Sequence, residues 1–254
     1  MTERSEGINP MTGAPSVVTR PVPYRHGSAA LEGVLITSEA VPAPAPTVLI
    51  CHGAEGFSDA VIEIGRERVL PLGYQAFAVD LFGKGVSAST HEGFDANMAP
   101  FLADRAMLAD RLATVVSVAA GLPEVDPSRM AAIGFCFGGL CVLDMARTGV
   151  PVRGVASFHG VLKPPPGRPV RPIDCAVAVY HGWEDPFAPP EDVVALAAEL
   201  TEAGADWRIE AFGHAKHAFM ATFANSPERG IQYDARTAGR AWAAMAGFLA
   251  ECLS

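Results

Sequence analysis

The sequence lacks any long uninterrupted apolar stretch, although half of its 254 residues are hydrophobic. A membrane-spanning helix needs about 20 mainly apolar residues, and no run in this chain reaches that length. Residues 1–16 are polar and contain no apolar segment of the kind that a signal peptide requires. The sequence therefore predicts a cytoplasmic protein without membrane association, whose apolar residues fill a sizeable core.

Basic clusters and paired cysteines are missing as well. The chain has 19 basic and 28 acidic residues, which gives a formal net charge of −9, and no basic run exceeds two residues. Because phosphate binding needs clustered Lys and Arg, nucleic acid is not an expected partner. The five cysteines show neither a CxxC pair nor a zinc-ligand spacing. We expect no metal, no cofactor and no disulfide scaffold, and the oligomeric state stays open.

The order of sequence patterns along the chain indicates an α/β protein. After a flexible tail over residues 1–16, two extended stretches at 17–25 and 30–37 predict an N-terminal antiparallel hairpin. Short apolar runs then alternate with helical patterns, including a long helix at about 98–120. Strands without internal alternation, separated by helices, predict a mostly parallel sheet covered on both faces. No second composition regime appears, so residues 17–254 are predicted to form one domain.

A cysteine flanked by glycines is the sharpest local signal. Residues 134–139 read Gly-Phe-Cys-Phe-Gly-Gly and lie between an apolar run and a helical stretch. This strand–turn–helix context is typical of a nucleophile elbow, in which unpaired N–H groups at the helix start favour a thiolate. Cys136 is therefore a candidate nucleophile, although a small buried cysteine is the alternative. Cys141, within the helix, is expected to pack in the core.

A nucleophilic cysteine needs a base and an acid that orients it. Asp185 follows a predicted strand in a turn that opens toward a helix, where its alternative role is an Asx-turn ahead of a proline. His214 and His217 follow the last predicted strand and are both candidate bases. His159 and His181 also lie at strand ends, so the pattern alone leaves them open.

Three segments together resemble the dienelactone hydrolase family. They are the elbow at 134–139, the acid turn at 181–185 and the Lys-His-Ala-Phe stretch at 216–219, and the resemblance extends over about residues 30–252. The resemblance implies the α/β-hydrolase fold, with a mostly parallel central sheet, and hydrolysis of a small ester or lactone. It implies that Cys136 is the nucleophile.

The same resemblance assigns the remaining site residues. It makes Asp185 the acid and His217 the base, and leaves His214 a packing or pocket role. Two backbone N–H groups, those of Phe137 and Ala54, are expected to form the oxyanion hole. His52, in the loop that carries Ala54, is interpreted as a residue that shapes the loop. The segment 86–100 is expected to cover the pocket.

The chain departs from the family pattern at two positions. Family members carry a glutamate directly before the second oxyanion residue, where this chain has Gly53, with Glu55 as the nearest acid. Either Glu55 reaches the site or His217 ionises Cys136 unaided, and the second alternative is favoured. Members specific for dienelactone also have an arginine four residues after the catalytic histidine, and Ala221 stands there. Dienelactone itself is therefore not the expected substrate.

Other functions remain open on the same motifs. Class I glutamine amidotransferases also use a cysteine elbow, but they place the histidine in a His-x-Glu setting, whereas Ala218 and Phe219 follow His217. A catalytically inert binding protein on the hydrolase scaffold is a further alternative, because fold does not fix function. Acyl transfer to an acceptor other than water would use the same residues as hydrolysis.

Overall fold

The computed structural model of the protein describes residues 16–254. The predicted tail at 1–16 lies outside the described residues except for Ser16, and the single domain over 17–254 stays a prediction. Eight strands form one sheet in the order β1-β2-β4-β3-β5-β6-β7-β8. They are β1 (Val17–His26), β2 (Ala29–Ser38), β3 (Ala45–Cys51), β4 (Gln75–Val79), β5 (Val125–Phe135), β6 (Gly154–Phe158), β7 (Ala176–Gly182) and β8 (Trp207–Phe212).

The predicted N-terminal hairpin is confirmed. Strands β1 and β2 pair antiparallel, with His26 opposite Ala29 across a tight turn, and Gly27 in that turn has φ of +57°. Strand β1 is at the edge of the sheet, where its two prolines, Pro21 and Pro23, need not donate to a second neighbour. Strand β2 pairs antiparallel with β4, whereas β3 through β8 run parallel to one another.

Helices cover both faces of the sheet, as the sequence predicted. They are α1 (Asp59–Ile64), which continues through a π-helical turn at Gly65–Val69 and a 3₁₀ turn at Leu70–Leu72, α2 (His91–Ala103), α3 (Arg105–Ala120), α4 (Phe137–Thr148), α5 (Pro190–Glu202) and α6 (Ala235–Leu253). Apolar residues of α3, α4 and α5 form one core with the sheet, and those of α1 and α6 form a second core on the opposite face. None of the helices in residues 16–254 has the length and apolar character to cross a bilayer.

The single long helix predicted at 98–120 is wrong. Two helices, α2 and α3, meet there at Asp104. The Asp104 carboxylate accepts a hydrogen bond from the Met107 N–H, 2.8 Å away, and so caps the start of α3. An aspartate that bonds a nearby backbone N–H stabilises a helix start at the expense of a continuous helix. The apolar pattern on both sides of Asp104 concealed this break.

Small residues let α4 approach the ends of β3 and β5. A Cβ atom built on Gly138 would lie 2.2 Å from the Cys51 carbonyl oxygen, and one built on Gly134 would lie 2.0 Å from the Gly138 carbonyl oxygen. Both collisions are with backbone, which cannot rotate away as a side chain can. The glycines therefore place the start of α4, and the turn before it, directly on the edge of the sheet.

We expect Gly134→Ala to destabilise the protein, because the added methyl group overpacks the contact with Gly138. Overpacking a well-filled interior costs about 1–3 kcal/mol, so the melting temperature should fall by about 2–10 °C. Gly247→Ala is the matched control, since Gly247 lies in α6 with no atom within 4 Å of its added Cβ. That variant should be slightly stabilised. Equal melting temperatures for Gly134→Ala and the wild type would contradict the close approach.

Candidate active site

The candidate site lies where the carboxyl ends of β5, β7 and β8 meet, the usual location of ligand sites in parallel α/β sheets. Cys136 forms the one-residue turn between β5 and α4. Its backbone has φ of 53° and ψ of −113°, and its N–H donates to the Phe158 carbonyl on β6, 3.0 Å away. A non-glycine residue in this region is strained. The turn therefore has the strand–helix geometry that the sequence predicted for residues 134–139.

Three of the predicted site residues are in contact. The Nε2 atom of His217 lies 3.2 Å from the Cys136 sulfur, and its Nδ1 donates to the Asp185 carboxylate, 2.7 Å away. The second carboxylate oxygen of Asp185 accepts the Phe187 N–H at 2.8 Å. The arrangement thus holds the imidazole between a thiol and a carboxylate whose own orientation is fixed by backbone.

The backbone of His217 is held by a short structure that the sequence analysis missed. The His217 N–H donates to the Gly230 carbonyl at 2.9 Å, and its carbonyl accepts the Gln232 N–H at 3.0 Å. Gln232 belongs to β10 (Ile231–Gln232), which pairs antiparallel with β9 (Asn225–Ser226). Strands of this length carry no readable alternation, and the glycine at 230 was the one available sign of a turn.

The carboxylate of Asp185 and the imidazole of His217 are both buried, and their contacts affect the charge on the imidazole. The Asp185 residue is 1% exposed and His217 is 6% exposed. Burial opposes a charged imidazole, but the Cys136 sulfur and the Asp185 carboxylate outweigh burial and raise the pKa of His217 above its ordinary value. A buried carboxylate requires such a partner. The contacts with Cys136 and Asp185 thus favour the protonated form of His217.

Two other histidines lie close to His217 but in different roles. The His159 ring packs edge-on against the His217 ring, with centroids 5.2 Å apart, and burial holds its pKa well below the ordinary value. Neither of its ring nitrogens has a hydrogen-bond partner among residues 16–254. His181 donates from Nε2 to the Ala188 carbonyl at 2.9 Å, away from the sulfur. Of the histidines that the pattern left open, His217 is the one in contact with Cys136.

Of the packing or pocket role expected for His214, the packing alternative is wrong. Its side chain is 96% exposed and its Nδ1 lies 3.2 Å from the Glu184 carboxylate. The residue has φ of +66°, which turns the chain at the end of β8 and directs its side chain to solvent. Cys141 is fully buried in α4, which confirms its expected packing role.

The predicted oxyanion donors belong to the start of α4 and to the loop after β3. Phe137 is the first residue of α4, and the first N–H groups of a helix have no partner within the helix. Ala54 lies in the loop after β3, and its carbonyl accepts a hydrogen bond from the Asn97 side chain on α2, 3.2 Å away. The Ala88 N–H donates to the Glu55 carbonyl at 2.8 Å. The segment 86–100 thus contacts the donor loop directly.

The Glu55 carboxylate folds back over Gly53. One carboxylate oxygen accepts the Gly53 N–H at 3.2 Å. A Cβ atom built on Gly53 would lie 2.4 Å from the other oxygen. The carboxylate therefore occupies the space that a side chain at position 53 would fill.

The surroundings of the site are aromatic more than cationic. The Phe187 side chain, on a residue that is 47% exposed, packs edge-on against the His217 ring, with centroids 4.8 Å apart. The two lysines that lie nearest to the site residues in sequence, Lys84 and Lys216, bond partners that are not site residues. Lys84 pairs with Glu32 at 2.8 Å, and Lys216 donates to the Pro227 carbonyl at 3.1 Å. Within residues 16–254, no group of three or more His, Cys, Asp or Glu residues could hold a metal ion.

Comparisons with known proteins find similarity over much of the chain. The chain is similar to a crystal structure of a dienelactone hydrolase-like promiscuous phosphotriesterase from metagenomic libraries, with a TM-score of 0.88 and 32% identity, covering 94% of this chain and 99% of that one. An uncharacterized protein of Caenorhabditis elegans is 35% identical over 58% of this chain and 95% of its own length. A Synechocystis protein provisionally named a carboxymethylenebutenolidase is 26% identical over 78% of this chain and 82% of its own.

The family assignment rests on most of the chain. The model of the dienelactone hydrolase family matches residues 31–253, from β2 to the end of α6. That span contains the α/β-hydrolase sheet apart from β1 and the first two residues of β2, together with every residue of the candidate site. The chain therefore belongs to the dienelactone hydrolase family and is a hydrolase of carboxylic esters.

Proposed function

We propose that the protein hydrolyses small, uncharged carboxylic esters or lactones, with Cys136 as nucleophile, His217 as base and acid, and Asp185 as the group that orients the histidine. The observation that carries this proposal is the continuous contact from sulfur to imidazole to carboxylate at a strained turn. The imidazole can reach the sulfur proton directly, as a general base must. Asp185 keeps Nε2 directed at the sulfur.

The first half of the reaction transfers the acyl group to the protein. His217 takes the proton of Cys136, and the thiolate attacks the carbonyl carbon of the ester. The carbonyl oxygen becomes an oxyanion, which accepts hydrogen bonds from the N–H groups of Phe137 and Ala54. The intermediate then collapses with loss of the alkoxide, which takes the proton from His217. A thioester on Cys136 and a free alcohol result, and a lactone gives the same thioester with its hydroxyl still attached.

The second half of the reaction returns the protein to its starting state. His217 removes a proton from a water molecule as that water attacks the thioester carbon. The second oxyanion occupies the same two N–H groups, and its collapse expels the Cys136 thiolate. The acid leaves, and His217 returns its proton to the Cys136 thiolate. The Glu55 carboxylate is bonded to the Gly53 N–H, which supports ionisation of Cys136 by His217 without a second acid.

The charges around the site favour an uncharged substrate. Ala221 stands where dienelactone-specific members have an arginine, and both nearby lysines are engaged elsewhere. A substrate carboxylate would therefore lose its hydration without gaining a strong cationic partner. The half-exposed Phe187 ring against His217 offers apolar contact instead. The expected substrate is thus a short neutral ester or lactone.

The similarity of this chain to a promiscuous phosphotriesterase supports a second activity. The promiscuous phosphotriesterase resembles this chain over nearly the full length of both. A thiolate that attacks a carbonyl carbon can also attack the phosphorus of a neutral phosphotriester, which develops a negative oxygen in the same place. We therefore include phosphotriester hydrolysis as a side activity of the same nucleophile.

The cytoplasmic location and the absence of a nucleic-acid partner stay predictions.

The central test replaces the nucleophile. We expect Cys136→Ala to lower kcat for p-nitrophenyl acetate by about three orders of magnitude or more, because it removes the attacking atom. Mass spectrometry of wild-type protein quenched during turnover should find the acyl group on Cys136. His217→Ala should lose a similar factor, since it removes the base.

The matched control for these variants is His214→Ala. That residue is exposed and pairs with Glu184, so the variant should keep kcat within about twofold of wild type. Wild-type hydrolysis by Cys136→Ala would overturn the proposal, and a larger loss in His214→Ala than in His217→Ala would show that the wrong histidine was assigned. Recovery of acyl-acceptor products in place of free acid would make the protein a transferase. Failure of Cys136 to react with a thiol reagent would instead support an inert binding protein.

A second prediction concerns substrate charge. We expect kcat/KM for neutral short esters to exceed that for dienelactone carboxylates, and Ala221→Arg to raise the latter by roughly ten- to a hundredfold. Ala221→Gln controls for side-chain length without the charge and should give little gain. Both substrate classes are compared at low salt. A wild-type preference for dienelactone would contradict the charge argument, and no gain in Ala221→Arg would show that position 221 does not face the substrate.

The phosphotriester activity has its own test. Diethyl p-nitrophenyl phosphate should release p-nitrophenol in the presence of the wild type and not of Cys136→Ala. If the phosphorylated cysteine is hydrolysed slowly, release should show a burst equal to the enzyme concentration followed by a slower phase. Release that is unchanged in Cys136→Ala would mean that this activity uses another site.

A further inference from the structure

One buried histidine near the site has both ring nitrogens bonded to backbone. His52 directly follows β3 and is 1% exposed. Its Nε2 accepts the Leu81 N–H at 3.1 Å, and its Nδ1 lies 2.7 Å from the Gly53 carbonyl oxygen. Because Nε2 is an acceptor, the single proton of the neutral ring is on Nδ1 and is donated to Gly53. Burial lowers the pKa of His52, which keeps the ring in this neutral form.

The bond to Gly53 acts on the neighbouring amide. The Gly53 carbonyl and the Ala54 N–H belong to one peptide unit, which is planar and, when trans, directs the two groups to opposite sides. A hydrogen bond that fixes the direction of the carbonyl therefore also fixes the direction of the N–H. That N–H is the oxyanion donor that the proposed function assigns to Ala54.

A row of aromatic rings connects His52 with the second donor. The His52 ring packs edge-on against Phe82, with centroids 4.8 Å apart. Phe82 in turn packs against Phe137, with centroids 5.3 Å apart. Phe137 supplies the other proposed oxyanion N–H. The separation of the two donor residues is thus set by packing through Phe82.

The peptide units on both sides of Gly53–Ala54 are held as well. The Gly53 N–H donates to Glu55, and the Ala54 carbonyl accepts from Asn97. Donors that are fixed before the substrate arrives stabilise an oxyanion more than donors that must first reorient. His52 differs from Glu55 and Asn97 because its side chain bonds the carbonyl of the peptide unit that carries the donor, at 2.7 Å, and the Gly56 N–H reaches the same carbonyl at the longer distance of 3.3 Å.

We infer that His52 is a positioning residue for ester hydrolysis, which directs the Ala54 N–H at the oxyanion and exchanges no proton with the substrate. This inference rests on the proposed function. Its loss should lower kcat, because the oxyanion forms in the transition state, and should leave KM nearly unchanged. Reactions of Cys136 that form no oxyanion should be unaffected.

Two substitutions separate this role from simple filling of the core. His52→Asn places an amide N–H close to the position of Nδ1 and keeps a donor for the Gly53 carbonyl. His52→Gln places its amide near the position of Nε2 and keeps a partner for the Leu81 N–H. Each variant loses one hydrogen bond and some ring packing, so stability should fall in both. We expect His52→Gln to lose ten- to a hundredfold in kcat for p-nitrophenyl acetate, and His52→Asn to keep most of the activity.

The rate at which Cys136 is alkylated distinguishes a positioning role of His52 from a merely structural one. Iodoacetamide is displaced at a saturated carbon, so its reaction reports the thiolate without using the oxyanion donors. The alkylation rate of both variants should stay within about twofold of wild type at one pH. Equal losses of kcat in the two variants, or alkylation that falls with hydrolysis, would overturn the inference.

Further outcomes separate this inference from the proposed function. Equal rates of hydrolysis by the wild type and Cys136→Ala would refute the proposed function itself. If hydrolysis requires Cys136 but His52→Gln keeps the full kcat, only the inference about His52 is refuted. If His52→Gln does not accumulate as folded protein by circular dichroism, Phe82→Leu replaces it, since it removes the ring that packs against His52 and so loosens the His52 bond to the Gly53 carbonyl. That variant should lose kcat with unchanged alkylation, and full kcat in it would also contradict the inference.

Discussion

The contact between the start of α4 and the end of β3 is the constraint on which the site depends. There is no room for a side chain at Gly138 beside the Cys51 carbonyl, so the helix begins against the sheet. This close approach forces the connecting residue, Cys136, into a strained backbone conformation with φ of 53°. The same approach brings the first N–H groups of α4 beside the loop after β3. One packing contact therefore sets both the nucleophile and the place where its oxyanion would form.

Electrostatics adds a second constraint, because a carboxylate is buried at the same edge of the sheet. Asp185 has two partners, the Phe187 N–H and the His217 ring, and neither could be removed without leaving a buried charge unsatisfied. The Cys136 sulfur and this pairing together raise the pKa of His217, although burial alone would lower it. Binding of the His217 backbone to β10 then fixes the ring relative to a sulfur that is far away in sequence.

The sequence predicted the parts of this site that depend on local backbone chemistry. The elbow was readable because glycines surround Cys136, and the N-terminal hairpin because a short turn segment separates two extended stretches. The break at Asp104 was not readable, since a capping aspartate looks like any polar residue within a helical pattern. Exposure of His214 follows from a left-handed turn that no residue type announced. Both features are local conformations that the same residues could also avoid, so the pattern of a single sequence does not decide between the alternatives.

In the loop after β3, the carboxylate of Glu55 fills the space that a side chain at position 53 would occupy. Gly53 stands where related proteins have a glutamate, and the Glu55 carboxylate returns to cover that space. A glycine is required for this arrangement, because any Cβ at position 53 would meet the carboxylate at 2.4 Å. The bond from Gly53 N–H to Glu55 and the bond from His52 to the Gly53 carbonyl restrain the same residue from two sides. The loop that carries Ala54 is thus restrained by side chains of two residues of the loop itself, His52 and Glu55.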